Sequence, residues 1–283
     1  MSEIDINHLQ TWIGKSRADD DVIAARHARL MAATVDYFAT DRIRDGERLP
    51  PSWHWVYFLE GPPTTQLGRD GHPPRGGFLP PVPLPNRMWA GGRVSILAPI
   101  PIGSTVRKTS TILKVDHKRG RSGDLVFVTV RHELHSLQGE LHIREEQDIV
   151  YKDFTPQGQK PRAPSAPPAA PHTKTYTPTS TLLFRYSALT FNAHRIHYDL
   201  NYASETEGYP SLVVHGPLNA TMLADYAEHI SGGWVREFNY RGLAPALLGN
   251  AITLRANPLD HQITLHATLD DGAVCMEAEA VID

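Results

Sequence analysis

The sequence predicts an α+β fold assembled twice over. A helix-like run over roughly residues 19–38 and another over 216–230 are each followed by several strand-like runs. A proline-rich stretch at 155–173 separates the two series. Helices that precede a group of strands, rather than alternating with them one by one, argue for a helix laid on an antiparallel sheet.

Each element has a local reason. Asp19, Asp20 and Asp21 favour a helix start. Ile23, Ala24, His27, Leu30, Met31, Thr34 and Phe38 recur on one face through Phe38. Residues 45–92 are rich in Pro and Gly and read as irregular. Thr105–Val115 and Leu125–His135 read as strands flanking a turn at His117–Asp124, and Leu141–Tyr151 reads as a third. Residues 155–173 hold six prolines and form a stiff, extended connector. The chain thus divides into 1–154, a linker at 155–173, and 174–283. In the second part Thr179–Thr190 is helix or strand. Gly216–Ile230 is a helix with Leu218, Met222, Leu223 and Tyr226 on one face, stopped by Gly232-Gly233. Val235–Tyr240, Ala251–Ala256, Gln262–Leu269 and Ala273–Ile282 follow as strands, the last two joined by the turn Asp270-Asp271-Gly272.

Composition narrows the function. The 283 residues are 41% hydrophobic and 21% charged with a net charge of −3, as in a soluble globular protein. No basic stripe points to nucleic acid. No apolar run approaches the ~20 residues of a membrane helix. The single Cys275 excludes an intrachain disulfide and any multi-cysteine zinc site, which fits a reducing cytoplasm. A homo-oligomer through a sheet edge or a helix face is compatible with the pattern, and no residue selects it.

The chemistry concentrates in Phe184–Asp199, where Asn192, His194 and His197 crowd three polar groups into six residues. Val214-His215-Gly216-Pro217 then opens the long helix. A helix start offers unpaired N–H groups to an anion or a polarised carbonyl oxygen, and Pro217 suits the first turn because it needs no N–H. His194 and His197 could share a metal at i, i+3, but no third ligand follows at a useful spacing, so neither metal nor cofactor is expected. Asp36 and Glu228 read as helix-surface charges.

These residues resemble the MaoC-like hydratases. In that superfamily Gly-Asp-x-Asn-Pro-x-His precedes a His-Gly at the start of the central helix. By that resemblance Asn192 takes the place of the catalytic aspartate, His194 that of the asparagine, Arg195 that of the proline, and His197 that of the catalytic histidine. Ser187–Asp199, Leu84–Gly92 and Tyr240–Pro245 are similar to the branch of type 2 3-hydroxyacyl-thioester dehydratases and mesaconyl-C4-CoA and itaconyl-CoA hydratases. The resemblance implies a double hot-dog fold, with two long helices each packed on a curved antiparallel sheet and the sheets joined edge to edge. The catalytic motif would lie in the second half and the substrate pocket in the first.

It also implies reversible hydration of a short C5 dicarboxylic acyl-CoA to citramalyl-CoA. A neutral Asn192 cannot act as a base, so His197 carries the proton transfer while Asn192 orients the water. The Gly216 N–H would bind the thioester carbonyl. A substrate carboxylate calls for an arginine, with Arg241 favoured over Arg195, Arg185 and Arg87. Trp89 and Met88 line the acyl pocket or fill core, and His215 either joins the site or orients the helix start. A dehydratase of fatty acyl chains, a thioesterase, or a non-catalytic acyl-thioester binding protein of the same fold are the competing readings.

Overall fold

A computed structural model describes residues 4–120, 123–153, 167 and 169–283. The first half contains helix α1 (Ile6–Gln10), strand β1 (Ser16–Val22), helix α2 (Ala25–Val35) and strands β2 (Asn86–Ile96), β3 (Thr105–Gly120), β4 (Gly123–Ser136) and β5 (Leu141–Lys152). The second contains β6 (His172–Tyr176), helices α3 (Ser180–Leu189) and α4 (Gly216–Ser231), and strands β7 (Val235–Gly242), β8 (Ile252–Leu259), β9 (Gln262–Leu269) and β10 (Val274–Ile282).

All ten strands join one antiparallel sheet in the order β1-β3-β4-β5-β2-β7-β10-β9-β8-β6. Read outward from the centre, both halves have the same order: β2-β5-β4-β3-β1 mirrors β7-β10-β9-β8-β6. The repeat inferred from element order is therefore a repeat of topology. The halves meet where β2 pairs with β7, from Gly91 opposite Arg241 to Ser95 opposite Glu237.

Helix α4 lies across β7, β8, β9 and β10. Every residue from Leu218 to Glu228 is buried, so the helix has no solvent face, unlike the single stripe expected. Gly232 ends it in the left-handed conformation, φ 69°. Helix α2 differs more from expectation. It starts at Ala25, because Asp19, Asp20 and Asp21 lie in β1 beside Lys108, Arg107 and Val106 of β3. Arg107 grips Asp20 through Nε and Nη2, each at 2.7 Å, and the Phe58 N–H donates to Asp21. Charges suit such an edge strand. The buried face of α2 is Ala25, Ala28, Met31, Ala32 and Val35, while Leu30 and Phe38 are exposed. Small alanines let α2 settle against α3 and the turn at Trp53–Val56 rather than spread along the sheet.

Three strands escaped the sequence reading. β1 is highly charged, β2 sits in a Pro/Gly-rich region, and β6 begins at the end of the proline-rich connector. Most of the connector lies outside the described residues, as do Arg121 and Ser122 of the expected turn. Thr179–Thr190 is helical, with the Thr179 hydroxyl capping the Leu182 N–H. One hydrophobic core runs from Ile23 to Ile282 across both halves, and a second cluster around Ile112 and Val128 lies under α1.

Glycine is required at the join of the halves. A Cβ on Gly92 would meet the Tyr240 hydroxyl and lie 2.6 Å from Glu146 O, and one on Gly91 would lie 2.5 Å from Tyr240 O. Gly92→Ala should destabilise the protein by about 1–3 kcal/mol. Urea unfolding measures this, and an unchanged midpoint would show that the seam tolerates a side chain.

Candidate active site

Segment 191–199 leaves α3 through Phe191, whose φ of 48° turns the chain sharply. Asn192 Oδ1 accepts from the His194 N–H at 2.9 Å, forming an Asx turn that sets up the 3₁₀ turn Arg195–His197. Val213 runs alongside, its N–H donating to Ile196 O at 2.9 Å. The buried His197 Nδ1 donates to Val213 O at 2.7 Å. A carbonyl can only accept, so Nδ1 carries the proton and Nε2 is left as the basic nitrogen.

His215 is the cap residue of α4 and stacks on His197, with ring centroids 3.6 Å apart and planes 19° apart. Its Nε2 and Ser187 Oγ share a 2.8 Å hydrogen bond. No side chain caps α4, Pro217 occupies its first turn, and a Cβ on Gly216 would lie 3.2 Å from Cε3 of Trp89. Trp89 thus covers the helix start. It stacks on Tyr240 at 4.5 Å and meets Trp55 edge-on at 5.3 Å. Trp55 in turn donates to the buried Glu145 at 2.8 Å, whose other oxygen pairs with His54 at 2.7 Å. Burial would raise the Glu145 carboxyl, but the His54 charge and hydrogen bonds outweigh it and hold it at about 2.

The first half contributes a pair that sequence spacing could not reveal. His72 Nδ1 donates to Asp70 Oδ2 at 3.0 Å, and the His72 N–H donates to Asp70 Oδ1 at 3.0 Å. Gly71, at φ +88°, has no room for a Cβ against Ala193 O, and the Arg195 N–H donates to Asp70 O at 2.9 Å. These contacts clamp the loop onto segment 192–195. The His72 ring lies 4.2 Å from that of His194, which lies 5.5 Å from that of His197. Four histidines, His72, His194, His197 and His215, therefore stand in a row.

Burial pushes His197 down to about 3, aided by His194 and His72 and opposed by the Val213 carbonyl. Burial likewise lowers His72 to about 3 against the pull of Asp70, and holds His215 well below its ordinary value. Asp70 stays below the usual carboxylate range: burial would raise it, but the His72 bonds and charge and the Arg87 charge prevail. His72, His197 and His215 are thus neutral imidazoles beside an ionised carboxylate.

Asp70, His72 and His194 place ligand atoms within 4.8 Å of one another, a set that includes only one of the two histidines weighed from sequence. Both Asp70 oxygens already accept from His72, and His194 Nε2 lies 3.2 Å from Glu207 Oε1. As folded, the set is a carboxylate–imidazole pair beside a second such pair rather than three open ligands.

The structure brings His197, His215, Gly216 and Trp89 together, with Asn192 two residues before His194 and locked into its turn. It does not bring Arg241 or Arg185 to them. Arg241 is exposed and faces away from the buried Tyr240, 3.9 Å from Glu277, because neighbours on a strand point to opposite faces. Arg185 is exposed on α3 and reaches Ala33 O at 3.4 Å. Arg195 pairs with Asp199 at 2.6 Å and lies over the Tyr202 ring. Glu228 is no surface charge: it is buried, pairs with Arg48 at 2.6 Å and accepts from the Val235 N–H at 3.1 Å. Its neighbour Asp225 is also buried and accepts from Trp53 Nε1 at 3.1 Å, with burial raising its carboxyl well above the ordinary value.

The family profile for type 2 hydroxyacyl-thioester dehydratases matches residues 52–248, which include the row of histidines. The chain belongs to this family. It is accordingly a hydro-lyase acting on acyl thioesters. A mesaconyl-C(4)-CoA hydratase from Chloroflexus aurantiacus is 44% identical over 268 residues, covering 94% of this chain and 95% of the relative. A solved MaoC-like dehydratase superposes with TM-score 0.71 at 16% identity over 97% of this chain and 99% of that one. A Mycobacterium tuberculosis protein described as a double hotdog fold superposes with TM-score 0.56 at 11% identity, covering 96% of each chain. The α+β architecture is that double hot-dog. No helix among the described residues of this dehydratase-family chain is long and apolar enough to cross a membrane.

Neutral histidines drawn largely out of solvent make the fold sensitive to acid. His72 and His197 bind protons only near pH 3 and His132, lowered chiefly by burial, near 4, against 6.5 in the unfolded chain. Below 6.5 the unfolded chain is protonated first, so stability falls as pH drops toward 4, by up to about 1.4 kcal/mol per pH unit for each such histidine. Urea midpoints should fall between pH 7.5 and 5, and less steeply in His72→Asn. A midpoint constant over that range would contradict the lowered values of these three histidines.

Proposed function

We propose that the chain hydrates a short branched C5 dicarboxylic acyl-CoA, itaconyl-CoA or mesaconyl-C4-CoA, reversibly to citramalyl-CoA. Support comes from the near full-length 44% identity to a mesaconyl-C(4)-CoA hydratase. The single structural observation that carries the chemistry is His197, whose Nδ1–H···O=C bond to Val213 leaves Nε2 as a base next to the uncapped start of α4.

In this reading, with mesaconyl-C4-CoA, whose double bond is conjugated to the thioester, Nε2 of His197 takes a proton from water as the oxygen bonds to Cβ. The Cα=Cβ electron pair moves toward the thioester, and the charge gathering on its oxygen meets the Gly216 N–H and the positive end of α4. The proton then passes to Cα, so the elements of one water are added. Itaconyl-CoA, whose double bond lies one carbon farther out, gives the same product only when the proton goes to its terminal methylene. Burial keeps His197 neutral at physiological pH, so the Nε2 lone pair is free to accept the water proton. Asn192 has its carbonyl engaged with the His194 N–H, so it serves through its amide as a donor. The second half, residues 174–283, supplies His197 and Gly216. The first, residues 1–154, supplies Trp89 and the Asp70–His72 pair. A thioesterase reading would need a carboxylate on α4 free to act, and Asp225 and Glu228 are both engaged.

A panel of enoyl-CoAs followed by mass tests the proposal. Mesaconyl-C4-CoA or itaconyl-CoA should gain one water with no release of free CoA. Loss of the acyl group would instead indicate hydrolysis, and exclusive action on long unbranched chains would replace the substrate class. His197→Ala should lower the rate by about 10²–10⁴. Near-native turnover in that variant would move the base elsewhere.

A further inference from the structure

A cavity of about 250 Å³ opens beside the row of histidines, bounded by His72, Arg69, Arg75, Arg87, Tyr202 and Thr206. Its wall carries three guanidinium groups and one carboxylate, that of Asp70. Asp70 is already engaged, since both its oxygens accept from His72. Arg75 is engaged as well, donating to Val82 O at 2.8 Å, to Leu84 O, and to Pro85 O at 2.5 Å, which closes the loop at the cavity rim. Arg69 reaches Thr206 Oγ1 at 3.4 Å. Arg87 has no ion-pair partner among the described residues. It faces the cavity from β2, where it pairs with Tyr151. Its charge also acts on Asp70, His72 and Arg75, as a smaller contribution beside burial and the Asp70–His72 pairing.

Position gives this surplus charge a purpose. Arg87 and Trp89 are two apart on β2, ahead of the irregularity at Trp89–Gly91, so their side chains share a face of the sheet. Two residues of strand separate them by about 6.6 Å. Trp89 covers Gly216, where the thioester carbonyl is taken to bind. An arginine one step along the same face is well placed for an anionic group a few bonds from that carbonyl. The phosphates of CoA lie much farther away, beyond the pantetheine arm. We propose that Arg87 binds the free carboxylate of a dicarboxylic acyl group, and that this cavity discriminates dicarboxylic from simple acyl thioesters. A guanidinium presents two parallel N–H donors that match a carboxylate and that lysine lacks. The inference rests on the hydratase reading for the place of the thioester.

Binding tests it without turnover. The full-length protein and its Arg87→Met and Arg87→Lys variants are titrated calorimetrically with two saturated analogues, methylsuccinyl-CoA and butyryl-CoA. The unmodified protein should prefer methylsuccinyl-CoA. In Arg87→Met the ratio of the two affinities should fall about 10- to 100-fold, as for loss of a hydrogen-bonded charge partner, and Arg87→Lys should restore part of it. Equal weakening toward both ligands, or no change in the ratio, overturns the assignment. A penalty seen with both acyl groups that disappears with 3′-dephospho-CoA thioesters also overturns it, because Arg87 would then hold the CoA phosphate. Absence of hydration of any enoyl-CoA alongside a collapsed ratio would defeat the hydratase reading and leave the carboxylate site standing.

Discussion

The pairing of β2 with β7 is the constraint on which the rest of the molecule depends. It joins two five-strand halves into one sheet and sets the strand carrying Arg87 and Trp89 beside the helix carrying Gly216. Strands can approach so closely there because Gly91 and Gly92 leave room for the Tyr240 backbone and ring. Trp89 can then lie flat on Tyr240 and close over the start of α4. A second close approach, Gly71 against Ala193, positions the Asp70–His72 pair in the same way. Neither half holds both His72 and Trp89 and also His197 and Gly216, so the candidate site lies where the halves meet.

Electrostatics shapes what this site can do. Packing histidines side by side in a dry interior would be costly if they were charged, and burial with mutual repulsion keeps them neutral. Hydrogen bonds decide which ring nitrogen is left without a proton: Val213 for His197, Asp70 for His72. Buried carboxylates follow the same economy. Glu145 has His54 and Trp55, Glu228 has Arg48 and the Val235 N–H, and Asp225 has Trp53. Trp53 to Asp225 and Arg48 to Glu228 both run from the first half to α4, so these polar contacts also fasten the halves together.

Much of the fold could be read locally. Alternating polarity located β3, β4, β5 and β7 to β10, and the helix start at Gly216 with its stop at Gly232 followed from cap chemistry. The elements that escaped did so for local reasons too. β1 carries Asp19, Asp20 and Asp21, which favour a helix start until Arg107 and the Phe58 N–H are seen to hold them. The buried face of α2 follows its alanines with Met31 and Val35, not Leu30 and Phe38, although those two are more apolar than alanine. Close contact with α3 rewards small residues over greasy ones. Arg241 drew attention through its motif, yet the alternation of β7 turns it to the outer face once Tyr240 is committed to the inner one.

The sequence by itself determined the order of the long helix and of the strands other than β1, β2 and β6, the motif from Asn192 to His197 and the helix start at Gly216, all set by residues within a turn or two of one another. Tertiary structure alone decided that Asp70 and His72 join His194, that Arg87 rather than Arg241 lies by the site, and that Glu228 is buried. Those partners come from segments more than a hundred residues apart in the chain. Spacing governs neighbours within a helix, strand or turn. Contacts between distant segments depend on which backbones can pack closely, and here glycines 71, 91 and 92 permit that approach.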